Sequence, residues 1–304
     1  MSAKIRLGTR GSKLALAQSN GIADQLKDHG HAVELIILKT TGDEVTGPLT
    51  NVGGDGVFTK RLQTALLENE IDLAVHSLKD LPTDEFPGLK IGAVPKREDT
   101  RDAVLLPTSA PKISSLNDLA KQARIGTGSV RRKAQLLHVR PDLIIQDIRG
   151  NVDTRLDKLD EGQFDAIVLA CAGLNRLGLA DRISLTCEVE QMAPAVGQGA
   201  LGLEIRDNDA ATEAAIAALN DDESYASAIA ERTMLNKLCA GCLAPVGSIT
   251  TLNQQQLTLT GIVLSKDGKT RIHAESSAAI DQAVELGKTV ANELKSKGAS
   301  ELIG

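Results

Sequence analysis

The sequence predicts an α/β protein of two or three domains, and three observations lead to this prediction. The chain has 304 residues, which exceeds the usual size of a single domain. Short apolar runs alternate with amphipathic helical patterns between residues 5 and 169, which is typical of βαβ units and a mostly parallel sheet. Two breaks interrupt the pattern, a charged loop at residues 95–102 and a Gly-, Pro- and Ala-rich segment at residues 191–199.

The predicted elements follow one another in a regular order. Strands are predicted at residues 5–7, 33–38, 73–75, 91–94, 104–106, 143–148 and 166–169. Helices are predicted at residues 12–27, 58–68, 130–138 and 152–159. The second break is followed by a strand at 200–205, helices at 210–219 and 223–238, strands at 246–251, 257–264 and 271–276, and a helix at 281–295. This last group predicts a small α+β C-terminal domain, with a hairpin turn at residues 266–269.

The composition argues against nucleic acid and membranes as partners. The chain has 34 basic and 40 acidic residues, and its aromatic residues are Phe58, Phe86, Phe164 and Tyr225. Single-stranded nucleic acid binds to aromatic residues interleaved with basic ones, so we expect no such partner. We also expect no membrane partner and a cytoplasmic location, because the chain has no apolar run of membrane-spanning length and no apolar N-terminal signal region.

One predicted strand runs directly into a cluster of ionisable groups. Residues 71–82 read Ile-Asp-Leu-Ala-Val-His-Ser-Leu-Lys-Asp-Leu-Pro, a short buried strand that is stopped by a proline. Open α/β sheets bind their ligands just beyond the carboxyl ends of their strands. Lys79 and Asp80 are therefore candidate site residues. The alternative is a solvated turn, because structural ion pairs also occupy such positions.

Arginines are concentrated in one part of the chain, with eight of the sixteen between residues 124 and 182. The tightest group follows a short strand and spans a turn and the first turn of a helix. It comprises Thr127, Gly128, Ser129, Arg131 and Arg132. Backbone N–H groups and the positive end of the helix dipole favour an anion there. Arginine binds carboxylates through two parallel hydrogen bonds, so the group predicts an anion site.

Two further groups repeat this arrangement. Arg149 and Arg155 lie at the start of the helix after the next strand, and Arg10 precedes Ser12, a candidate helix N-cap. A single arginine is usually a solvated surface charge. Several at strand ends indicate an anionic ligand between two α/β domains, a carboxylate rather than a nucleotide. Residues 197–202 fit G-x-G-x-x-G but precede a strand, so we reject a dinucleotide site.

A pair of cysteines follows the long helix predicted at residues 223–238. Cys239 and Cys242 form the only C-x-x-C motif, and no second pair or histidine cluster completes a zinc site, so we expect no metal. Thioredoxin-type motifs lie at the start of a helix, whereas this one trails a helix. A thiol that binds a ligand covalently, an inert pair and a redox pair all remain open from the residues alone.

Eight segments together carry a resemblance to a known family. They include His-Ser-Leu-Lys-Asp-Leu-Pro at residues 76–82, Pro-Ala-Val-Gly-Gln-Gly-Ala at residues 194–200 and the cysteine loop at residues 231–242. The first of these segments begins at residue 74 and the second continues to residue 202, and the other five segments are residues 7–16, 52–58, 126–132, 149–155 and 166–178. The chain thus resembles the hydroxymethylbilane synthase family, also called the porphobilinogen deaminase family, from about residue 4 to residue 250.

The resemblance implies a fold of three domains, two of which resemble type II periplasmic binding proteins with mixed, mostly parallel sheets. Domain 1 comprises residues 1–97 and 194–215, domain 2 residues 98–193, and domain 3 residues 216–304. The resemblance also implies a monomeric enzyme with a dipyrromethane cofactor joined to Cys242 by a thioether. Such an enzyme condenses four porphobilinogen molecules head to tail, releases ammonia each time and then hydrolyses off hydroxymethylbilane.

The same resemblance implies roles for individual residues. Asp80 matches the catalytic aspartate, whose carboxylate stabilises the positive charge that develops as ammonia leaves. Each pyrrole carries an acetate and a propionate, so a chain of six pyrrole rings holds about a dozen carboxylates. Arginines can compensate this negative charge. The matching cofactor-binding positions are Lys79, Asp80, Thr127, Ser129, Arg131, Arg132, Arg149 and Arg155. The matching substrate-binding positions are Arg10, Ser12, Arg149, Arg155, Arg176 and Gln198.

Two positions depart from the family pattern. Asp55 stands where a lysine is usual, and Gly128 replaces a commoner serine. The alternative function is a non-enzymatic anionic solute-binding protein of the periplasmic-binding type. Such a receptor normally has an export signal, no third domain and no covalent thiol, so the sequence favours the synthase on all three features.

Overall fold

The computed structural model of the chain describes residues 4–38, 59–241 and 244–303. The chain forms two compact units. Unit 1 comprises Met1–Glu98 and Ala200–Ala228, and unit 2 comprises Asp99–Gly199 and Ile229–Gly304.

The described strands fall into three sheets. In chain order they are β1 (Ile5–Thr9), β2 (Val33–Ile37), β3 (Leu73–Ser77), β4 (Leu89–Ala93), β5 (Asp102–Leu105), β6 (Arg124–Gly126), β7 (Ile144–Gln146), β8 (Ala166–Ala170), β9 (Leu185–Thr186), β10 (Leu201–Arg206), β11 (Val246–Asn253), β12 (Gln256–Leu264) and β13 (Arg271–Ala279).

The described helices pack on these sheets. In chain order they are α1 (Lys13–Asp28), α2 (Lys60–Leu67), α3 (Val130–Val139), α4 (Val152–Asp160), α5 (Cys171–Arg176), α6 (Ala210–Ile216), α7 (Asp222–Lys237), α8 (Ala283–Ser296) and α9 (Ala299–Ile303).

Unit 1 is built on a five-stranded sheet with the order β2-β1-β3-β10-β4. β1 pairs in parallel with β2 and β3, and β10 pairs antiparallel with β3 and β4. Four of the five strands therefore point the same way. α1 begins at the N-cap Ser12, whose hydroxyl accepts a hydrogen bond from the backbone N–H of Ala15 at 3.3 Å. α1 buries Ile22 and Leu26 against β1, β3 and β10 to form the core of the unit.

Unit 2 contains a second five-stranded sheet, with the order β7-β6-β8-β5-β9. β6 pairs in parallel with β7 and β8, and β5 pairs antiparallel with β8 and β9. The pattern matches that of unit 1, with one reversed strand in the fourth place. Two buried clusters cover the two faces, one around Ile125 and Leu136, the other around Leu159 and Ile167.

The C-terminal part of unit 2 is a three-stranded antiparallel sheet of β11, β12 and β13 covered by α8. The hairpin turn between β12 and β13 packs on α3. Gly268 in this turn has φ +75°, and a Cβ there would lie 2.5 Å from the carbonyl oxygen of Ala134. His138 Nδ1 donates to the Gly268 carbonyl oxygen at 2.7 Å. Only glycine allows the backbone of this turn to approach the helix so closely.

The predicted fold class is confirmed: the chain is α/β, with two mixed, mostly parallel sheets and a small α+β C-terminal part. The predicted elements are found with shifted ends. β5 begins at Asp102 rather than residue 104, because Asp102 still pairs with Ala170. The helix predicted at residues 58–68 spans Lys60–Leu67, and Phe58 lies outside the described residues. α5 and β9 were not predicted, because such short elements give no clear periodicity.

Candidate functional site

The carboxyl end of β3 presents the predicted Lys79 and Asp80. β3 is buried up to His76, and a short helical turn, Leu78–Asp80, follows it. The turn is anchored because Leu78 is buried and its backbone N–H donates to the carbonyl oxygen of Ala200 at 3.0 Å. Asp80 is exposed and Lys79 is half-buried.

A small concavity in unit 1 brings Arg10 and Asp80 together. His76, Ser77 and Gln18 also line it. Arg10 comes from the segment between β1 and α1, and Asp80 comes from the turn after β3, because β1 and β3 are neighbouring parallel strands. Ser12 caps α1 just beyond this point. These side chains thus lie at the carboxyl edge of the unit 1 sheet, where open α/β sheets bind their ligands.

A buried polar network lies behind this concavity. Glu204 on β10 accepts hydrogen bonds from His76 Nε2 at 2.8 Å and from Gln63 Nε2 at 2.9 Å. All three side chains are buried. Glu204 lies opposite Ala74 in the β3–β10 ladder, so the rigid sheet fixes the ring of His76. Sequence analysis did not single out this network, although a glutamate within the apolar run of β10 is an unusual residue in a central strand.

In unit 2 the predicted turn after β6 leads into α3. Ser129 is the N-cap of α3 and accepts a hydrogen bond from the backbone N–H of Arg132 at 3.4 Å. Thr127 is buried, and its hydroxyl accepts from the backbone N–H of Ser129 at 3.2 Å. Gly128 is exposed, and a Cβ there would lie 3.0 Å from Asp147 Oδ1. The turn is thus held by its own side chains.

Arg131 and Arg132 point inward, at 4% and 6% exposure, and share the fully buried Asp102. Arg132 donates from Nε and Nη2 to Asp102 Oδ1 at 3.0 and 2.7 Å, and Arg131 Nη1 lies 2.8 Å from Asp102 Oδ2. Arg132 also donates to the carbonyl oxygen of Val168 at 3.0 Å. Sequence analysis missed Asp102, because a charged residue beside a predicted loop looks solvated.

The buried cluster of Asp102, Arg131 and Arg132 has an uneven charge. It holds two guanidinium groups and one carboxylate, a net charge of +1. Burial alone would raise the pKa of Asp102, but the two guanidinium groups hold it far below its usual range, so Asp102 is ionised. Burial lowers the pKa of Arg131. Arg131 Nε is buried with no hydrogen-bond partner among the described residues.

The segment at residues 193–199 is held by several of the predicted site residues. Arg131 Nη1 donates to the carbonyl oxygen of Ala193 at 2.6 Å, and Arg176 Nη2 donates to that of Gly199 at 2.7 Å. Gln198 is fully buried and donates to Asp102 Oδ1 at 2.9 Å and to the carbonyl oxygen of Thr100 at 2.7 Å. The segment, Arg131 and Gln198 thus form one connected network with Asp102.

Arg149 and Arg155 lie near the end of β7 and are more accessible. Arg149 is exposed, and its Nε donates to Asp147 Oδ2 at 2.8 Å. Arg155 is half-buried, and its Nε donates to the carbonyl oxygen of Gly150 at 2.8 Å. Their binding roles stay predictions from the sequence.

The cysteine motif follows α7, as predicted. Cys239 is exposed with φ +54°. Cys242, the predicted attachment point, lies outside the described residues, and so does Asp55. Among the residues that the structure does describe, no group of three or more His, Cys, Asp or Glu side chains could hold a metal ion. None of the described helices is long and apolar enough to cross a membrane.

Comparison with known proteins shows the family. Residues 5–214 match the model described as porphobilinogen deaminase, dipyromethane cofactor binding domain, and residues 225–296 match the porphobilinogen deaminase C-terminal domain. The chain is 46% identical over 300 residues to a porphobilinogen deaminase of Thermus thermophilus, covering 98% of this chain and 97% of that protein. It is 44% identical over 305 residues to one of Syntrophotalea carbinolica, covering 99% and 96%.

Similarity to solved structures is weaker. A methionine-binding protein, MetQ, is 16% identical with a TM-score of 0.44, covering 75% of this chain and 94% of that one. A nutrient-binding protein of Burkholderia cenocepacia is 14% identical with a TM-score of 0.43, covering 77% and 95%.

The two matched domains and the full-length relatives establish what kind of protein this is: an enzyme of the transferase class, acting in tetrapyrrole biosynthesis. The chain belongs to the porphobilinogen deaminase family. Its activity is that of a hydroxymethylbilane synthase, with porphobilinogen as substrate and dipyrromethane as cofactor. The alternative of a non-enzymatic solute-binding protein is not favoured.

The described residues fit a cofactor rich in carboxylates. The Asp102 cluster has one more positive than negative charge, and Arg131 has a buried N–H with no described partner. An anionic group balances such a site, because an uncompensated buried charge is costly. The N-terminus of α3, capped by Ser129, adds the positive end of a helix dipole beside it.

Proposed function

We propose that the two units contribute different residues to the family's reaction. The arginines of unit 2 bind carboxylates, and Asp80 of unit 1 acts as the catalytic residue. The observation that carries the proposal is the excess positive charge of the buried Asp102–Arg131–Arg132 cluster. A cluster built only for stability would pair each guanidinium with its own carboxylate, because burying unpaired charge destabilises the fold.

The cofactor-binding role is assigned mainly to unit 2. When bound, the dipyrromethane supplies the pyrrole carbon at which chain growth begins. The residues proposed to hold its carboxylates are Thr127, Ser129, Arg131, Arg132, Arg149 and Arg155, together with Lys79 of unit 1. The hydrogen bonds of Arg131 and Arg132 support this role, because they already orient the two guanidinium groups. Little side-chain entropy is therefore lost when a carboxylate binds.

Asp80 is proposed to stabilise positive charge on the reacting pyrrole. Loss of ammonia from porphobilinogen leaves a cationic species, and a fixed carboxylate lowers the energy of that species. Support comes from the exposure of Asp80 in a concavity, on a turn that Leu78 anchors. The substrate-binding residues proposed with it are Arg10, Ser12, Arg149, Arg155, Arg176 and Gln198.

Cys242 is proposed to hold the cofactor through a thioether. The purified chain should be heavier than its sequence by two pyrrole units and should give a colour with Ehrlich's aldehyde reagent. Peptide mapping should place the added mass on Cys242. The matched pair of variants is Cys242→Ser, which should lose the adduct, and Cys239→Ser, which should keep it. An active chain without the adduct, or an adduct on Cys239, contradicts the proposal.

Four further statements stay predictions from the sequence. They are the domain boundaries (residues 1–97 with 194–215, 98–193 and 216–304), the monomeric state, the cytoplasmic location and the absence of nucleic-acid and membrane partners. Size-exclusion chromatography with light scattering tests the monomer directly, because a dimer would double the measured mass.

A further inference from the structure

One carboxylate holds three of the proposed ligand-binding residues. Asp102 contacts the guanidinium groups of Arg131 and Arg132 and the side-chain amide of Gln198, at distances between 2.7 and 3.0 Å. The proposed function assigns binding roles to these three residues but none to Asp102. The full burial of Asp102 means that it reaches a ligand only through these partners.

The position of Asp102 is rigid. It is the first residue of β5 and lies opposite Ala170 on the neighbouring strand β8. Its own carbonyl oxygen accepts a hydrogen bond from the backbone N–H of Cys187 at 2.8 Å. Both sides of its backbone are thus fixed by the sheet. A carboxylate on such a support fixes the long, flexible arginine side chains that bind to it, because charge-assisted pairs with arginine are directional.

We propose that Asp102 is the positioning residue of the cofactor site: its carboxylate orients Arg131, Arg132 and Gln198 and cancels one of the two guanidinium charges, leaving one for a ligand carboxylate. This inference rests on the proposed function. It predicts that cofactor loading depends on Asp102 more strongly than fold stability does, because a small displacement of a binding group has a large effect on its ligand.

Unit 1 offers a matched control in Asp72. Asp72 also accepts from two arginines, with Arg6 Nη2 at 2.7 Å and Arg206 Nη2 at 3.1 Å. Arg206 pairs in addition with Asp209. This group of four has two positive and two negative charges, a net charge of zero, and none of its members is a proposed site residue. Asp72→Asn therefore disrupts an arginine–aspartate network without touching the binding machinery.

The test compares Asp102→Asn with Asp72→Asn. Intact mass gives the fraction of each purified chain that carries the cofactor, thermal unfolding gives its stability, and steady-state kinetics give KM and kcat separately. We expect Asp102→Asn to lower the cofactor-bearing fraction about tenfold or more, and to raise KM in the molecules that remain loaded. Asp72→Asn should lower the melting temperature while keeping a wild-type cofactor fraction and KM.

Asp102→Glu keeps the proposal testable if Asp102→Asn does not fold. It preserves the charge but displaces the carboxylate by one methylene, so it should fold and still load poorly. A wild-type cofactor fraction and KM in either folded Asp102 variant overturns the proposal. So does an equal loss of cofactor in Asp72→Asn. Failure of both Asp102 variants to fold, with Asp72→Asn folded, assigns Asp102 a structural role only and also overturns it.

Failure of this inference is distinguishable from failure of the proposed function. If Arg131→Leu and Arg132→Leu are fully loaded and active, the arginines do not bind the cofactor and the proposed function fails. If those variants lose the cofactor while Asp102→Asn keeps it, only the positioning role is wrong.

Discussion

The two five-stranded sheets share one topology but differ in the charge around their buried carboxylates. In each sheet the single reversed strand carries such a group, Glu204 on β10 in unit 1 and Asp102 on β5 in unit 2. Glu204 accepts hydrogen bonds from His76 and Gln63. Asp102 instead contacts two arginines and the side-chain amide of Gln198.

The two groups differ in the charges that they bury. The Glu204 group holds one carboxylate hydrogen-bonded to a histidine and a glutamine, and it contains no arginine. Two arginines on one aspartate leave a net charge of +1 whatever the pH near neutrality. Under the proposed function, the excess positive charge of unit 2 is available to a carboxylate, whereas Asp80 of unit 1 supplies the negative charge proposed to stabilise the reacting pyrrole.

Arg132→Leu tests the comparison with the largest expected effect. It removes three hydrogen bonds, two to Asp102 and one to the carbonyl oxygen of Val168, and leaves Asp102 with one guanidinium group instead of two. We expect a loss of about 1–3 kcal/mol in the free energy of unfolding and, because the excess positive charge is gone, an almost complete loss of cofactor. Urea denaturation and intact mass measure the two effects.

Arg206→Leu is the control from unit 1. It also breaks contacts with backbone carbonyls and with Asp72, so it should destabilise the chain. Because Arg206 has no binding role, the folded fraction should still carry the cofactor. A similar loss of cofactor in both variants would mean that cofactor content reports only general stability, and the contrast between the units would fail.

Asp80→Asn tests the unit 1 side of the comparison. The amide keeps the shape of Asp80 but loses the charge that we assign to transition-state stabilisation. The rate should fall by roughly a hundred- to a thousand-fold, with little change in stability because the side chain is exposed. Single-turnover release of ammonia from porphobilinogen measures the chemical step.

Asp84→Asn is the matched control, since Asp84 is an exposed carboxylate a few residues further along. It should leave the rate unchanged. A rate for Asp80→Asn within a few-fold of wild type would show that Asp80 only positions the ligand. The next candidate from the sequence is Asp43, which lies outside the described residues.

The smallest effect is a dependence of stability on pH. Arginine contacts hold the pKa of Asp102 far below its usual range despite full burial, which alone would raise it; the pKa of Asp72 is also lowered, against the effect of burial. A lowered pKa contributes stability above the unfolded value of about 4, and this stability is lost as pH falls through the folded value.

Chemical unfolding of wild type and Asp102→Asn between pH 7 and 3 checks this sign. Wild type should lose about 1.4 kcal/mol per pH unit below pH 4 through this one carboxylate, because Asp102 stays ionised in the folded chain while it takes up a proton in the unfolded chain. The folded Asp102→Asn variant lacks this carboxylate, so its unfolding free energy should fall less steeply with pH. Identical acid curves for the two proteins would contradict the prediction.

Much of the fold was predictable because short apolar runs, alternating with amphipathic helical patterns, mark the strands that are buried in a sheet. The strands around Leu73, Ile167 and Leu203 were identified from their residues, and their sheet order was not. Pairing of β10 between β3 and β4 joins residues more than a hundred positions apart, and no local pattern specifies such a partner. The two sheets share no evident sequence repeat, so the residues alone did not show the repeated topology, and only the family resemblance implied two similar domains.

The site was predictable by residue type but not by environment. Arg131 and Arg132 were correctly placed in the first turn of a helix, yet the sequence did not show that they point inward onto Asp102. A buried ion pair is a tertiary feature, since its two halves lie about thirty residues apart. The residues alone made Asp80 and the cysteine motif candidates with alternatives left open, and the family resemblance supplied the roles proposed for Asp80 and Cys242.

The placement of β10 also has a consequence for how the chain is made. All five strands of the unit 2 sheet lie between Asp102 and Thr186, so this sheet can form as soon as that stretch has left the ribosome. The unit 1 sheet lacks its fourth strand, β10, until Arg206 has been synthesised. Until then β4 cannot pair with β10. The second sheet in the sequence should therefore be the first to complete, reversing the usual N-to-C order of cotranslational folding.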